Sequence, residues 1–108
     1  MRMFKPIPRA ALPDVMTVRL LLDDGSFGEP SVIAGVRLDE VQSSSGDAHR
    51  SADGGAGTVF VDAVNSAGAF EVPAGSRVTI RGRSYYVRKC HRCEDLFARC
   101  HHWELEVG

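Results

Sequence analysis

The chain has 108 residues, 44% of them apolar, and a formal net charge of −1. That is one domain's worth of sequence with material for a modest core, which excludes a chain disordered throughout. The near-neutral balance excludes gross attraction to nucleic acid or to an anionic membrane.

The charges are unevenly placed. Residues 1–9 hold Arg2, Lys5 and Arg9 and no acid, for +3. Residues 10–75 set ten acids against Arg19, Arg37 and Arg50, for −7. Residues 76–108 set seven bases against four acids, for +3. Such a chain can dock copies of itself head to tail or sit between two different partners. No secretory h-region follows Met1, and no apolar run approaches the roughly 20 residues of a membrane span. The expectation is a protein made and kept in a cytoplasm. Three cysteines in a reducing compartment argue against a disulfide framework.

Residues 1–13 contain Pro6, Pro8 and Pro13 and read as an extended arm, laid against a neighbouring subunit. A first strand is predicted over 15–22, with Val18, Leu20 and Leu22 on one face and Thr17, Arg19 and Leu21 on the other. Asp23-Asp24-Gly25-Ser26 makes a turn, and Phe27 after it caps the core. A second strand covers 32–41, with Val32, Ala34, Val36 and Leu38 in register. Residues 42–57 carry no aromatic or branched aliphatic side chain, so they read as a long flexible loop. A third strand covers 58–64, with Val59 and Val61 on the apolar side. A hairpin follows, in which 77–80 and 85–88 flank a turn around Arg81-Gly82-Arg83. The last hairpin pairs 85–89 with 102–107, and a short helical turn fits 94–99.

The final strand has the clearest pattern. Trp103, Leu105 and Val107 alternate with His102, Glu104 and Glu106, the mark of one buried and one wet face. The chain is therefore expected to end inside its own sheet. The fold class is all-β, a small β-barrel or sandwich of about six strands with a long polar loop. The single domain spans 1–108.

The only cluster with metal-ligand chemistry is Cys90-His91-Arg92-Cys93 followed by Cys100-His101-His102. A C-x2-C pair with a later Cys and His can close a zinc tetrahedron. The set is Cys90, Cys93, Cys100 and either His101 or His102. Adjacent strand residues point oppositely, so Cys100 and His101 both face inward only across a bulge. The competing reading makes Cys90 and Cys100 small core residues and leaves Cys93 in a loop. A redox pair is disfavoured, because no strand-to-helix step lowers the thiol pKa. Phosphate loops, nucleophile elbows and H-E-x-x-H are absent. Tyr85, Tyr86 and Trp103 have the shape to stack on bases, but strand aromatics usually belong to the core.

Three segments, Lys5-Pro6-Ile7-Pro8, Phe60-Val61-Asp62-Ala63-Val64-Asn65-Ser66 and His101-His102-Trp103-Glu104-Leu105-Glu106-Val107, occur in this order. Together they resemble a family of minor capsid proteins of tailed bacteriophages and prophages. Those proteins look like head-completion, or stopper, components of the neck. The resemblance implies a β-barrel that assembles as a homo-oligomeric ring between portal or adaptor and tail proteins. It implies a place in the virion, with assembly in the host bacterial cytoplasm. It implies no enzyme activity, no catalytic, cofactor-binding or metal residues, and no membrane or sequence-specific nucleic-acid partner. The cysteine cluster is not part of the family pattern. The alternative is a small zinc-stabilised nucleic-acid-binding module, with structural zinc at that cluster. A small enzyme is the remaining class.

Overall fold

A computed structural model describes residues 5–40 and 56–108. Six antiparallel strands close on themselves: β1 (Asp14–Arg19), β2 (Ser31–Glu40), β3 (Gly57–Asp62), β4 (Arg77–Ile80), β5 (Arg83–Glu94) and β6 (Cys100–Val107). The order around the barrel is β1-β2-β3-β6-β5-β4, with β4 returning to β1. Closure gives every strand two neighbours, although β5 beyond Val87 pairs only with β6 and β2 beyond Val36 only with β3. The all-β expectation holds, and the barrel is chosen over the sandwich. Among the described residues no helix is long and apolar enough to cross a membrane. The loop expected at 42–57 lies largely outside the described residues, although Gly57 already belongs to β3.

The interior is filled from every strand: Met16 and Val18, Ile33, Val36 and Leu38, Val59 and Val61, Val78 and Ile80, Tyr85 and Val87, Trp103, Leu105 and Val107. Val72, in the connection to β4, completes it. β3 through Val61 and β6 from His102 alternate and pair Val59 with Leu105 and Val61 with Trp103. The final strand therefore lies as its pattern requires. β3 stops at Asp62, two residues short of its predicted end, because that side chain, placed on the wet face by its position, is buried and turns back to bond the turn that follows.

β2 does not follow the expected register. Val32 is exposed and Ile33 is buried, while Val36 and Leu38 remain inside. The cause is a bulge at Gly35. Its neighbours Ala34 and Val36 pair with the consecutive residues Val15 and Asp14, so Gly35 has no partner. Its φ of +83° is a value that glycine adopts without penalty. One extra residue reverses which parity faces inward, because the side-chain period is two.

β1 also ends sooner than predicted. Leu20, Leu21 and Leu22 lie beyond it and are exposed. Phe27 does not cap the core: it bridges to Leu21 and packs its ring 6.1 Å from that of Tyr86. The first hairpin turn is as expected. Arg81 and Gly82 both have positive φ, 54° and 76°, which gives the two-residue turn that matches strand twist.

The last hairpin is longer than predicted, because β5 runs on to Glu94. Cys93 is therefore in a strand and not a loop. Residues 95–99 form a tight turn with no helix. The Asp95 carboxylate accepts hydrogen bonds from the backbone N–H groups of Phe97 at 2.8 Å and Arg99 at 3.1 Å. Those bonds satisfy the donors that a helix would otherwise occupy.

Candidate functional site

The site is built at the barrel end where β3 stops and β6 starts. Asp62, the last residue of β3, is fully buried. Its carboxylate accepts N–H bonds from Val64 at 2.9 Å and Asn65 at 2.7 Å, which closes the turn after β3. A short polar side chain that bonds its own following backbone is the usual device for such turns. The other carboxylate oxygen accepts the Ile7 N–H at 3.0 Å. The Asn65 amide returns a bond to the Ile7 carbonyl at 2.8 Å. Ser66 donates its hydroxyl to the Gly35 carbonyl and accepts the Asp62 N–H at 2.8 Å.

These bonds hold residues 5–8 against the chain's own barrel. The arm continues through a 3-10 turn at Arg9–Ala11 to the buried Leu12. The expected arm is thus extended only over its first described residues, and its described part docks in cis. Farther back, His101 donates from Nε2 to the Lys5 carbonyl at 2.6 Å. The three segments that carried the family resemblance therefore meet in one place. Asp62 also pairs with His102 across β3 and β6.

The outer face of β5 and β6 continues from this junction. Cys93 pairs with His102, and His91 with Glu104. His102 Nε2 lies 2.8 Å from Glu104 Oε2, and Cys93 Sγ lies 3.6 Å from the same oxygen. One ligand-type atom from each of Cys93, His102 and Glu104 falls within 4.8 Å of the others. His91 instead bonds Glu106, at 2.6 Å. The hydrogen bond from His102 holds the Glu104 carboxyl below its ordinary range.

The cysteines expected to act together are divided between two faces. A second bulge, at Arg88, lies between the pairs Val87 with Val107 and Lys89 with Glu106, and turns Cys90 inward and Cys93 outward; a third, at His101, separates the pairs Cys93 with His102 and Glu94 with Cys100. Cys100 consequently packs against the core, as Cys90 does. Cys93 and His102 face outward. The reading of Cys90 and Cys100 as core residues holds, while Glu104 was missed as a partner of Cys93. Period two already placed His102 and Glu104 on one face; only the strand pairing adds Cys93. Burial is the main influence pushing all three thiols up, which is opposite to an activated redox pair.

Two of the three aromatics considered for base stacking are interior. Tyr85 and Trp103 are buried, and the Trp103 indole N–H donates to Glu71 at 3.2 Å. Tyr86 is exposed beside Phe27. Further apolar exposure lies in the connections between strands. Leu20, Leu21 and Leu22 follow β1, Val64 lies in the turn after β3, and Leu96 and Phe97 form the β5–β6 tip. On the outer wall, Arg19 of β1 stands directly across from Arg77 of β4. Like charges so placed repel, so this pairing does not serve the barrel's own stability.

None of the curated proteins and none of the solved structures matches the chain. A family model described as minor capsid protein matches residues 9–107. The match takes in all six strands and two of the three junction segments, with Lys5-Pro6-Ile7-Pro8 just before it. The all-β barrel with its pinned arm thus belongs to the minor capsid protein family, whose members are structural components of the phage particle.

Proposed function

We propose that the chain is a head–tail connector of the head-completion, or stopper, type, acting as one copy in a ring at the neck of a tailed phage or prophage particle. Its neighbours in this reading are portal or adaptor proteins on one side and tail proteins on the other. It is assembled in the host cytoplasm, performs no catalysis and makes no sequence-specific contact with DNA.

The observation that carries this reading is that large apolar side chains are exposed in the connections between the strands of a closed barrel. Closure pairs most of the sheet on both sides and so limits edge-to-edge strand addition as a way to associate. Association is left to loops and barrel ends, and Leu20 to Leu22, Val64, Leu96 and Phe97 supply apolar contact there. The like-charged Arg19 and Arg77 pair supports it from the outer wall, where an acidic neighbour would relieve the repulsion.

Deleting the gene from the parent phage tests the reading. The expected result is filled or leaking heads that fail to join tails, restored by the gene in trans. Normal infectious particles from the deletion overturn it. Leu96→Asp combined with Phe97→Asp should fold as the parent does yet fail to restore infectivity.

A further inference from the structure

We propose that the outer face of β5 and β6 binds one zinc ion, ligated by Cys93 Sγ, His102 Nε2 and a Glu104 carboxylate oxygen, with a fourth position open to water.

The first support is the donor set. Thiolate, imidazole and carboxylate are the three side-chain donors that zinc takes, and three protein ligands leave one open position. All three atoms fall within 4.8 Å of one another. Tetrahedral zinc separates a sulfur from an oxygen ligand by about 3.6 Å and a nitrogen from an oxygen by about 3.4 Å. The Cys93 Sγ to Glu104 Oε2 distance is 3.6 Å. The His102 Nε2 to Glu104 Oε2 distance is 2.8 Å, so the carboxylate must swing out by roughly half an ångström to fit. Glu104 is a partly exposed side chain, free on its outer side to do so.

The second support is independent of those distances and comes from how the imidazole is held. His101 Nε2 donates to the Lys5 carbonyl at 2.6 Å, which fixes that ring. His101 Nδ1 lies 2.8 Å from His102 Nδ1. His102 is thereby engaged through Nδ1, and its Nε2 is the atom turned to Glu104 Oε2, the oxygen that Cys93 Sγ also faces. A ligating histidine that donates its other ring N–H to a fixed acceptor is the usual second layer of a zinc site. His101, itself fixed by the arm, is that acceptor and acts as a positioning residue. On binding, the Cys93 thiol releases its proton to solvent as the S–Zn bond forms, and no redox change occurs.

The test uses the full chain, stripped with a chelator under reducing conditions. Cobalt(II) should bind with one-to-one stoichiometry and give a thiolate-to-cobalt charge-transfer band, and zinc should displace it. The band should vanish in Cys93→Ser and survive in Cys90→Ser and Cys100→Ser. Zinc affinity should fall at least about tenfold in Glu104→Gln and about tenfold in His101→Phe, which touches no metal. Should Cys93→Ser fail to fold, alkylation of the parent decides: zinc must protect Cys93 selectively. No stoichiometric cobalt binding overturns the proposal. A band that depends on Cys90 or Cys100 overturns it equally.

Discussion

The two ends of the barrel are fastened by different chemistry. At the junction end, the buried Asp62 carboxylate joins β3, its turn and the arm through backbone N–H groups of Ile7, Val64 and Asn65. At the opposite end, Arg81 reaches from the β4–β5 turn to Asp14 of β1. Both of its bonds to the carboxylate are 2.9 Å, and Asp14 also accepts the Leu38 N–H at 3.0 Å. Glu40 adds a longer contact, at 3.8 Å. The Arg81 side chain is 48% exposed, whereas Asp62 has no exposure. The Asp14 side chain is only 10% exposed, but the guanidinium that meets it stands in solvent, and solvent and salt screen its share of the pair. A buried carboxylate with several donors is costly to remove, because its partners are left without water. The lesson is that hydrogen-bond distance alone does not rank the two fastenings; burial does.

The largest effect expected on the junction side belongs to Trp103→Ala. Trp103 is buried, pairs with Val61 and sits where β3 and β6 alternate regularly. Its truncation should cost about 3–5 kcal/mol, a large share of a total of roughly 5–15 kcal/mol. Urea denaturation midpoints measure this. A parent-like midpoint would remove the assigned register of β6.

Next comes Asp62→Ala, at about 2–4 kcal/mol, from donors left unsatisfied. It should also free the arm, so trypsin should cut after Arg9 faster than in the parent. Unchanged cleavage at Arg9 would show that the arm is held by His101 instead. Gly35→Ala follows, at about 1–2 kcal/mol for a side chain at positive φ. Its new Cβ would also stand 3.1 Å from the Asn65 carbonyl oxygen, which lies in the junction turn. A neutral result would mean that β2 can slip its bulge.

Arg81→Ala should have the smallest effect, and its signature is pH dependence. The Arg81 bond holds the Asp14 carboxyl below its ordinary value. That stability is fully present above the ordinary carboxylate pKa of about 4 and is lost as pH falls through the lower folded value. The parent should therefore lose melting temperature more steeply below about pH 4 than Arg81→Ala does. The gap between them should narrow in high salt. Parallel curves would assign the clamp no role.

Legibility from sequence followed the same division. Where a strand is regular, alternation sufficed: β6 from His102 and β3 up to Val61 lie as their patterns require, and the Arg81-Gly82 turn follows from its residues. β2 was misread because a bulge leaves no mark in hydrophobic period beyond the glycine that permits it. Glu104 looked like an ordinary wet-face residue, yet it bonds His102 and sits at the Cys93 cluster. Leu20 and Leu22 continued an apolar pattern past the point where β1 stops pairing.

The sequence by itself determined the all-β class, the two-faced last strand, the closing hairpin turn and the family. Those follow from side-chain period, turn stereochemistry and motif order, which are local or linear properties. Only the tertiary structure decided that the strands close into a barrel. It alone docked the arm on Asp62 and His101, and it alone divided the cysteines between core and surface. Those outcomes depend on which strand lies beside which, and on single extra residues at Gly35, Arg88 and His101. One unpaired residue reverses every side chain beyond it, and no local preference in the chain records that reversal.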